Sequence, residues 1–403
     1  MATDSDVNTA RRFIVIQAGA RMHYAVPALL DRARMLERFY TDIHAGDWPV
    51  RLGLSWWPPA LRPKPVERLL GRRLPGIASK TTSVPVSALL QQIGMADCEA
   101  HLRQLVLQRG FGKANALYTL SNGDLPVVMA ARAAGIYVVH EQILNPDVGR
   151  ILHEERDYFS GMETQDSPER IAEDEERDRR QWNAADLLLA PSEFVRNGMI
   201  RMGAAAGKTA VVEYGVSENW LAMHSEPVEG RVLFVGSVGL RKGNHYLAAA
   251  SRILHRRGVR VDVRVAGPGG PAVARHLEFQ GPTYLGQVPR IRVAEEFRRA
   301  DLFVLPTVSE GSAVVHLEAL ACGVPVITTP NCGSVVRDGV DGFLVPIRDA
   351  EELANKIETI VTDRRLRGEM SRNARERARE FTWARYGERL LDAIRQPRES
   401  VHV

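Results

Sequence analysis

Three cysteines, at 98, 322 and 332, are all that a chain of 403 residues carries. An odd number without metal-ligand spacing supports neither a disulfide framework nor a zinc site, and a reducing cytoplasm is the expected setting. No stretch reaches the ~18 continuous apolar residues of a membrane-spanning helix. The opening MATDSDVNTARR is polar, and the FIVIQAGA behind it is too short for the core of a secretory signal. It reads as a first strand. The turn that follows, in QAGARMHYA, lacks the G-x-G-x-x-G fingerprint of a dinucleotide site. No Asp-x-Asp triplet closes a strand, and no metal or other cofactor is expected. Nucleic-acid binding has no recognised module behind it.

What is present, 45% apolar and 25% charged residues, describes an ordinary soluble globular protein. The length suits two domains, because single cores seldom grow past ~250–300 residues. The net charge of +4 is modest but uneven. From Arg51 to Lys80, the cations Arg51, Arg62, Lys64, Arg68, Arg72, Arg73 and Lys80 meet one acid, Glu67, with Trp56 and Trp57 alongside. Two readings stand for residues 51–80. One is a solvated, Pro-rich loop whose tryptophans close over a core edge. The other is a peripheral contact with a membrane face, or with an anionic acceptor.

Short apolar runs alternate with helix-length amphipathic stretches, the pattern of an α/β protein with parallel sheets. Strands are expected at 12–20, 115–120, 136–141, 185–192 and 209–216. A helix follows the first of them, through YAVPALLDRARMLER. The segment 153–180 reads as an exposed helix laced with ion pairs, and no chemistry is assigned to it. The stretch 217–230 is the expected linker. Strands then recur at 231–236, 261–267, 283–286, 301–306 and 324–329. This makes two Rossmann-like domains, 1–216 and 231–385, facing each other across a cleft. One long amphipathic helix closes the chain, and its end, 386–403, is a candidate to pack on the N-terminal domain.

The strongest chemical signal is SEGSAVVHLEALACGVPVI, where Glu310 and Glu318 flank a turn from a strand end into a helix. Open α/β sheets bind ligands at such turns, and free amides at a helix N-terminus favour phosphate. One carboxylate can face a sugar ring and the other a ribose diol, each accepting hydrogen bonds from hydroxyls. Gly311 lets the backbone come close to a ligand.

This region resembles the glutamate-pair motif of the retaining glycosyltransferase family 4 (glycosyl transferases group 1), built on the GT-B fold. FVGSVGLRKG, VRVAGPGG, YLGQVPR, RADLFVLPT and NCGSVVRDGVDGFLV fall in that family's order, and the likeness runs from about Asp186 to Trp383. The first 130 residues match only in outline. The resemblance implies that Lys242 sits on a donor diphosphate and that Glu310 contacts the donor sugar. The amides of Gly311, Ser312 and Ala313 would lie nearby. Glu318 would hold the ribose, the backbone at Val288 would read the base, and His140 would face the sugar. Gly19 would admit the diphosphate, and Gly236 would join the donor-binding residues.

Three departures matter. Where the family has an arginine after Gly236 this chain has Ser237, which removes one of two diphosphate cations unless Arg241 swings in to replace it. Ser312 and Ala313 stand where the family has phenylalanine and glycine, which alters the sugar pocket. Tyr214-Gly215-Val216-Ser217 replaces the usual hinge sequence. The implied activity is transfer of a sugar from a nucleotide-diphosphate sugar, UDP- or GDP-linked, to an acceptor hydroxyl, without a metal. Alternatives on the same fold are a non-catalytic nucleotide-sugar binder and a nucleotide-sugar epimerase.

Overall fold

The structure, a computed structural model, describes residues 11–396 apart from 49, 51–71, 75, 92–93, 121, 270–272 and 274. Runs such as Phe13–Ile16 and Leu187–Ala190 are apolar and buried at every position, as strands covered on both faces must be. The first sheet has seven parallel strands: β1 (Phe13–Ile16), β2 (Leu36–Thr41), β3 (Thr81–Ser83), β4 (Ala116–Thr119), β5 (Tyr137–Glu141), β6 (Leu187–Ala190) and β7 (Thr209–Val211). Their order is β3-β2-β1-β4-β5-β6-β7. The second sheet has six: β8 (Arg231–Val235), β9 (Asp262–Ala266), β10 (Thr283–Gly286), β11 (Leu302–Leu305), β12 (Val326–Thr328) and β13 (Gly342–Leu344), in the order β10-β9-β8-β11-β12-β13. Strand order reverses between β1 and β4, and again between β8 and β11. Each reversal opens a crevice at the strands' carboxyl ends, and the two crevices face one another.

The helices that bear on the site are α1 (Ala25–Arg32), α2 (Val148–Tyr158), α3 (Pro168–Ala184), α4 (Asn244–Arg256), α5 (Arg290–Arg299) and α6 (Val314–Ala321). Two more, α7 (Arg364–Arg379) and α8 (Trp383–Arg395), end the described chain.

Three elements differ from the sequence expectation. The first helix stops at Arg32 instead of running on to Glu37 and Arg38. Arg34 takes φ 57° and the Met35 amide turns back onto the Leu30 carbonyl, so Leu36 is free to open β2. The segment 153–180 is two helices, not one, and it is not all surface: Glu155 on α2 is fully buried. The closing helix is also broken. Thr382 caps α8 by accepting from the Arg385 amide, and it forms a parallel bridge with Val216 that draws the backbone out of helical geometry.

After that break α8 returns to the first domain. Gly387 lies against the Leu29 side chain of α1, and Arg11 donates to the Ile394 carbonyl. Leu390 and Ile394 are fully buried, each contributing roughly 1.5–3 kcal/mol.

Candidate functional site

A cavity of about 1030 Å³ opens between the two sheets' carboxyl ends. Arg21, Met22, His23, Ile143 and Tyr214 line its N-terminal wall, and Arg241, Arg290, Glu310, Ser312 and Glu318 line the C-terminal wall. A second cavity of about 520 Å³ lies within the N-terminal domain, lined by Gln17, Arg103, Asp124 and Gln142 among others. Arg21, Ile143 and Leu144 border both.

Glu310 follows β11 in the loop before α6. Its Oε2 accepts from the Arg241 guanidinium at 2.8 Å and from the Lys242 ammonium. Burial alone would raise this carboxyl, but Lys242 and Arg241 outweigh it and hold the group below its ordinary range. Both cations ride on the short 3-10 turn Leu240–Lys242. Gly243 ends that turn at φ 70°, where a β-carbon would overlap the Pro306 carbonyl. No side chain caps α6, so its first amides are left for other partners.

Glu318, two turns along, points into the same cavity. Its Oε1 accepts from Arg290 at 2.7 Å. Here burial prevails over Arg290, and the carboxyl is raised above its ordinary range. Arg290 was not foreseen. It opens α5, two residues beyond Val288, in a stretch expected from sequence to be a loop and read only for its backbone, and its guanidinium also lies 5.5 Å from the Trp220 ring.

The remaining expected residues are placed as follows. Ser312 lines the cavity, and Ala313 immediately precedes α6. The close approach that Gly311 permits is by a protein group, since a β-carbon there would overlap the Ile143 carbonyl of the other domain. Gly236 stacks its carbonyl against Gly267 at the base of the Lys242 loop, and Ser237 is exposed. Val288 is half-buried beside the cavity rather than lining it. Gly19 takes φ 75° and donates its amide to Asp42 at 3.0 Å, shaping the loop that carries Arg21.

His140 is not at the cleft. Its ring is 0% exposed, with Nδ1 3.0 Å from Thr119 Oγ1 and 3.4 Å from Gln181 Nε2 of α3. Burial, opposed by a hydrogen bond with Gln142, lowers it to about 4. Strand alternation is the reason. In β5 the neighbour Glu141 takes the opposite face, where it accepts hydrogen bonds from Tyr118 and, at 2.7 Å, from Tyr214. Tyr214 in turn accepts from Arg21 at 2.7 Å. Met22, His23 and Tyr24 follow at φ 47°, 52° and 60°, three left-handed non-glycine residues in a row. Each costs on the order of 1 kcal/mol or more. The buried Tyr24 ring, packed on Phe39 at 5.5 Å, helps hold them there.

The domains meet through specific partners. Glu155 accepts from His245 at 2.8 Å, Tyr246 at 2.7 Å and Arg348 at 2.7 Å, all in the second domain. Glu163 accepts from the Leu240 amide at 2.8 Å, and Ser192 donates to the Gly311 carbonyl at 2.6 Å. Among the described residues no group of His, Cys, Asp or Glu is arranged to hold a metal, and the three cysteines are free and buried. No described helix is long and apolar enough to cross a membrane. Most of the basic segment 51–80, including both tryptophans, lies outside the described residues. Of its described cations, Arg72 pairs with Asp42 and Lys80 with Asp31.

Residues 229–363 match the sequence model of a family described as Glycosyl transferases group 1. Over 246 residues the chain is 30% identical to a D-inositol 3-phosphate glycosyltransferase of Kribbella flavida, covering 54% of this chain and 58% of that one. It is 28% identical over 222 residues to a sulfoquinovosyl transferase of Arabidopsis thaliana, covering 50% and 42%. The chain thus spans about half the length of the curated relatives it matches. In fold it is similar to Anabaena HepE, solved with UDP and glucose, with a TM-score of 0.64 and 18% identity over 95% of this chain and 99% of that one. It is equally similar to a sucrose-phosphate synthase from Thermosynechococcus elongatus, with a TM-score of 0.64 and 19% identity over 96% and 98%. The fold is GT-B: two facing Rossmann-like domains.

Proposed function

We propose, from the match of residues 229–363 to the glycosyl transferases group 1 and from the geometry of the cleft, that the protein is a retaining glycosyltransferase. It moves a sugar from a nucleotide-diphosphate sugar to an acceptor hydroxyl, in polysaccharide, glycolipid or glycoconjugate synthesis. The observation that carries this reading is the pair of buried carboxylates in one cleft, each already matched to cations: Glu310 with Lys242 and Arg241, Glu318 with Arg290.

An arriving diphosphate competes for Lys242 and Arg241 and releases Glu310 to accept from hydroxyls of the donor sugar. Glu318 accepts from a ribose diol through its other oxygen, while Oε1 keeps Arg290. The acceptor enters from the N-terminal cavity. Its hydroxyl oxygen bonds to the anomeric carbon on the face from which the diphosphate oxygen departs. The breaking bond's electron pair leaves with the diphosphate, which takes the hydroxyl proton. The protein positions the partners and stabilises the leaving charge, and closed domains keep water from the donor.

A thermal-shift screen tests the donor site, using UDP, GDP, ADP, their common sugars and NAD, each with and without a chelator of divalent metals. A ligand that binds only the folded form raises the melting temperature by mass action. One nucleoside diphosphate and its sugars should do so with the chelator present, and the shift should vanish in Glu318→Ala. Absence of a shift with every nucleotide would refute the reading. A shift that needs the metal would refute its metal-independence.

A further inference from the structure

The C-terminal wall is short of positive charge for the leaving group assigned to it. Lys242 and Arg241 bring two positive charges and Glu310 one negative, a surplus of one. A departing nucleoside diphosphate carries more than one negative charge. Arg290 is held by Glu318.

The opposite wall holds a cation with no carboxylate in direct contact, since Glu141, whose charge it feels, is joined to it only through Tyr214. Arg21 sits at the seam of the two cavities and is the one charged residue that borders both, among the described residues. It makes no ion pair with a carboxylate, unlike Arg241 and Arg290 in the same cleft, or Arg103 and Arg177 in the smaller cavity. Its Nη2 is spent on the neutral Tyr214 hydroxyl, and its Nε is buried with no hydrogen-bond partner. A buried donor left unmade is expensive, and a cation in that state is prepared for an anion. Its placement is enforced from two sides. Tyr214 is tied to Glu141 and through it to Tyr118, while the left-handed run Met22–Tyr24 fixes the backbone beyond.

Resting on the glycosyltransferase reading above, we infer that Arg21 is a substrate-binding residue, the N-terminal domain's cation for the donor diphosphate. The phosphates are thereby gripped from both domains. Arg21 reaches them only when the domains are closed, and the two-sided grip ties departure of the leaving group to closure.

The test is calorimetric titration of the full chain with UMP and UDP, GMP and GDP, and AMP and ADP, for wild type, Arg21→Ala and Arg21→Lys. Wild type should prefer the diphosphate of one base to its monophosphate. In Arg21→Ala that preference should shrink about 10- to 100-fold, through diphosphate affinity, with monophosphate binding nearly unchanged. Arg21→Lys should restore part of it. A general structural lesion would weaken both ligands together and so overturn the assignment. So would an unchanged preference in Arg21→Ala. If the alanine variant fails to fold, the lysine variant and Tyr214→Phe, which removes the tether but keeps the charge, decide by the same ratio. Wild type binding no nucleotide at all would remove the glycosyltransferase reading and this inference with it. Wild type binding the diphosphate without response to Arg21 removes this inference alone.

Discussion

Burial raises the Glu318 carboxyl and Arg290 only partly offsets it, so the folded chain holds this proton more tightly than the unfolded chain does. Stability therefore falls as pH rises from the ordinary carboxylate range through the folded value. Wherever Glu318 is ionised it is a net burden on the fold, because burial outweighs Arg290. Glu318→Gln should raise the melting temperature of the ligand-free protein at pH 7.5 while weakening nucleotide binding. A lower melting temperature with binding intact would contradict it. This residue, with Glu310 and Lys242, was legible in the sequence because a loop-and-helix motif keeps its parts close along the chain. Arg290, Arg21, Tyr214 and Glu141 were not, because strands from distant segments bring them together. His140 was misplaced for a smaller reason: position at a strand end does not say which face a side chain takes.

Elements were read well where apolar runs were continuous, as in β1, β6, β8 and β11. They were misread where a single backbone feature intervenes, such as left-handed Arg34 or the Thr382 cap. Gly311 is a case where the residue type was noticed and its neighbour was not. The loop before α6 touches the Ile143 carbonyl, with Ser192 bonded to the Gly311 carbonyl beside it. A methyl group at 311 cannot fit while this loop and the N-terminal domain are in contact. Gly311→Ala should hold the domains apart, enlarging the radius of gyration in solution scattering. Turnover should fall about 100-fold or more, as misplacement by an ångström does, while nucleotide affinity changes less than tenfold. Unchanged scattering and turnover would show that the contact has no bearing on closure.

Over the whole molecule, domain order was legible and domain contact was not. The Glu155 hub binds three donors from the second domain, yet in sequence it is one acid in a charged run. Protons act at this scale too. His140 and His316 are buried and lowered to about 4 and about 3, His316 by burial and then by Lys242. Unfolding lets both regain an ordinary value near 6.5. Between these limits the unfolded state binds more protons, so stability drops as pH falls below about 6.5, by roughly 2 kcal/mol for His140 at pH 5. The melting temperature should decline steeply from pH 6.5 to 4.5, and His140→Gln should flatten that decline. A constant melting temperature from pH 7 to 5 would rule out both assignments.

The return of α8 to α1 also bears on how the protein is made. The first domain begins at the start of the described chain but lacks one wall until Trp383–Arg395 has been synthesised. The second domain, whose strands run from Arg231 to Leu344, depends on no later strand. On the ribosome the domain begun first is closed only after the strands of the second have been made, and its Leu29 surface stays bare until α8 follows them.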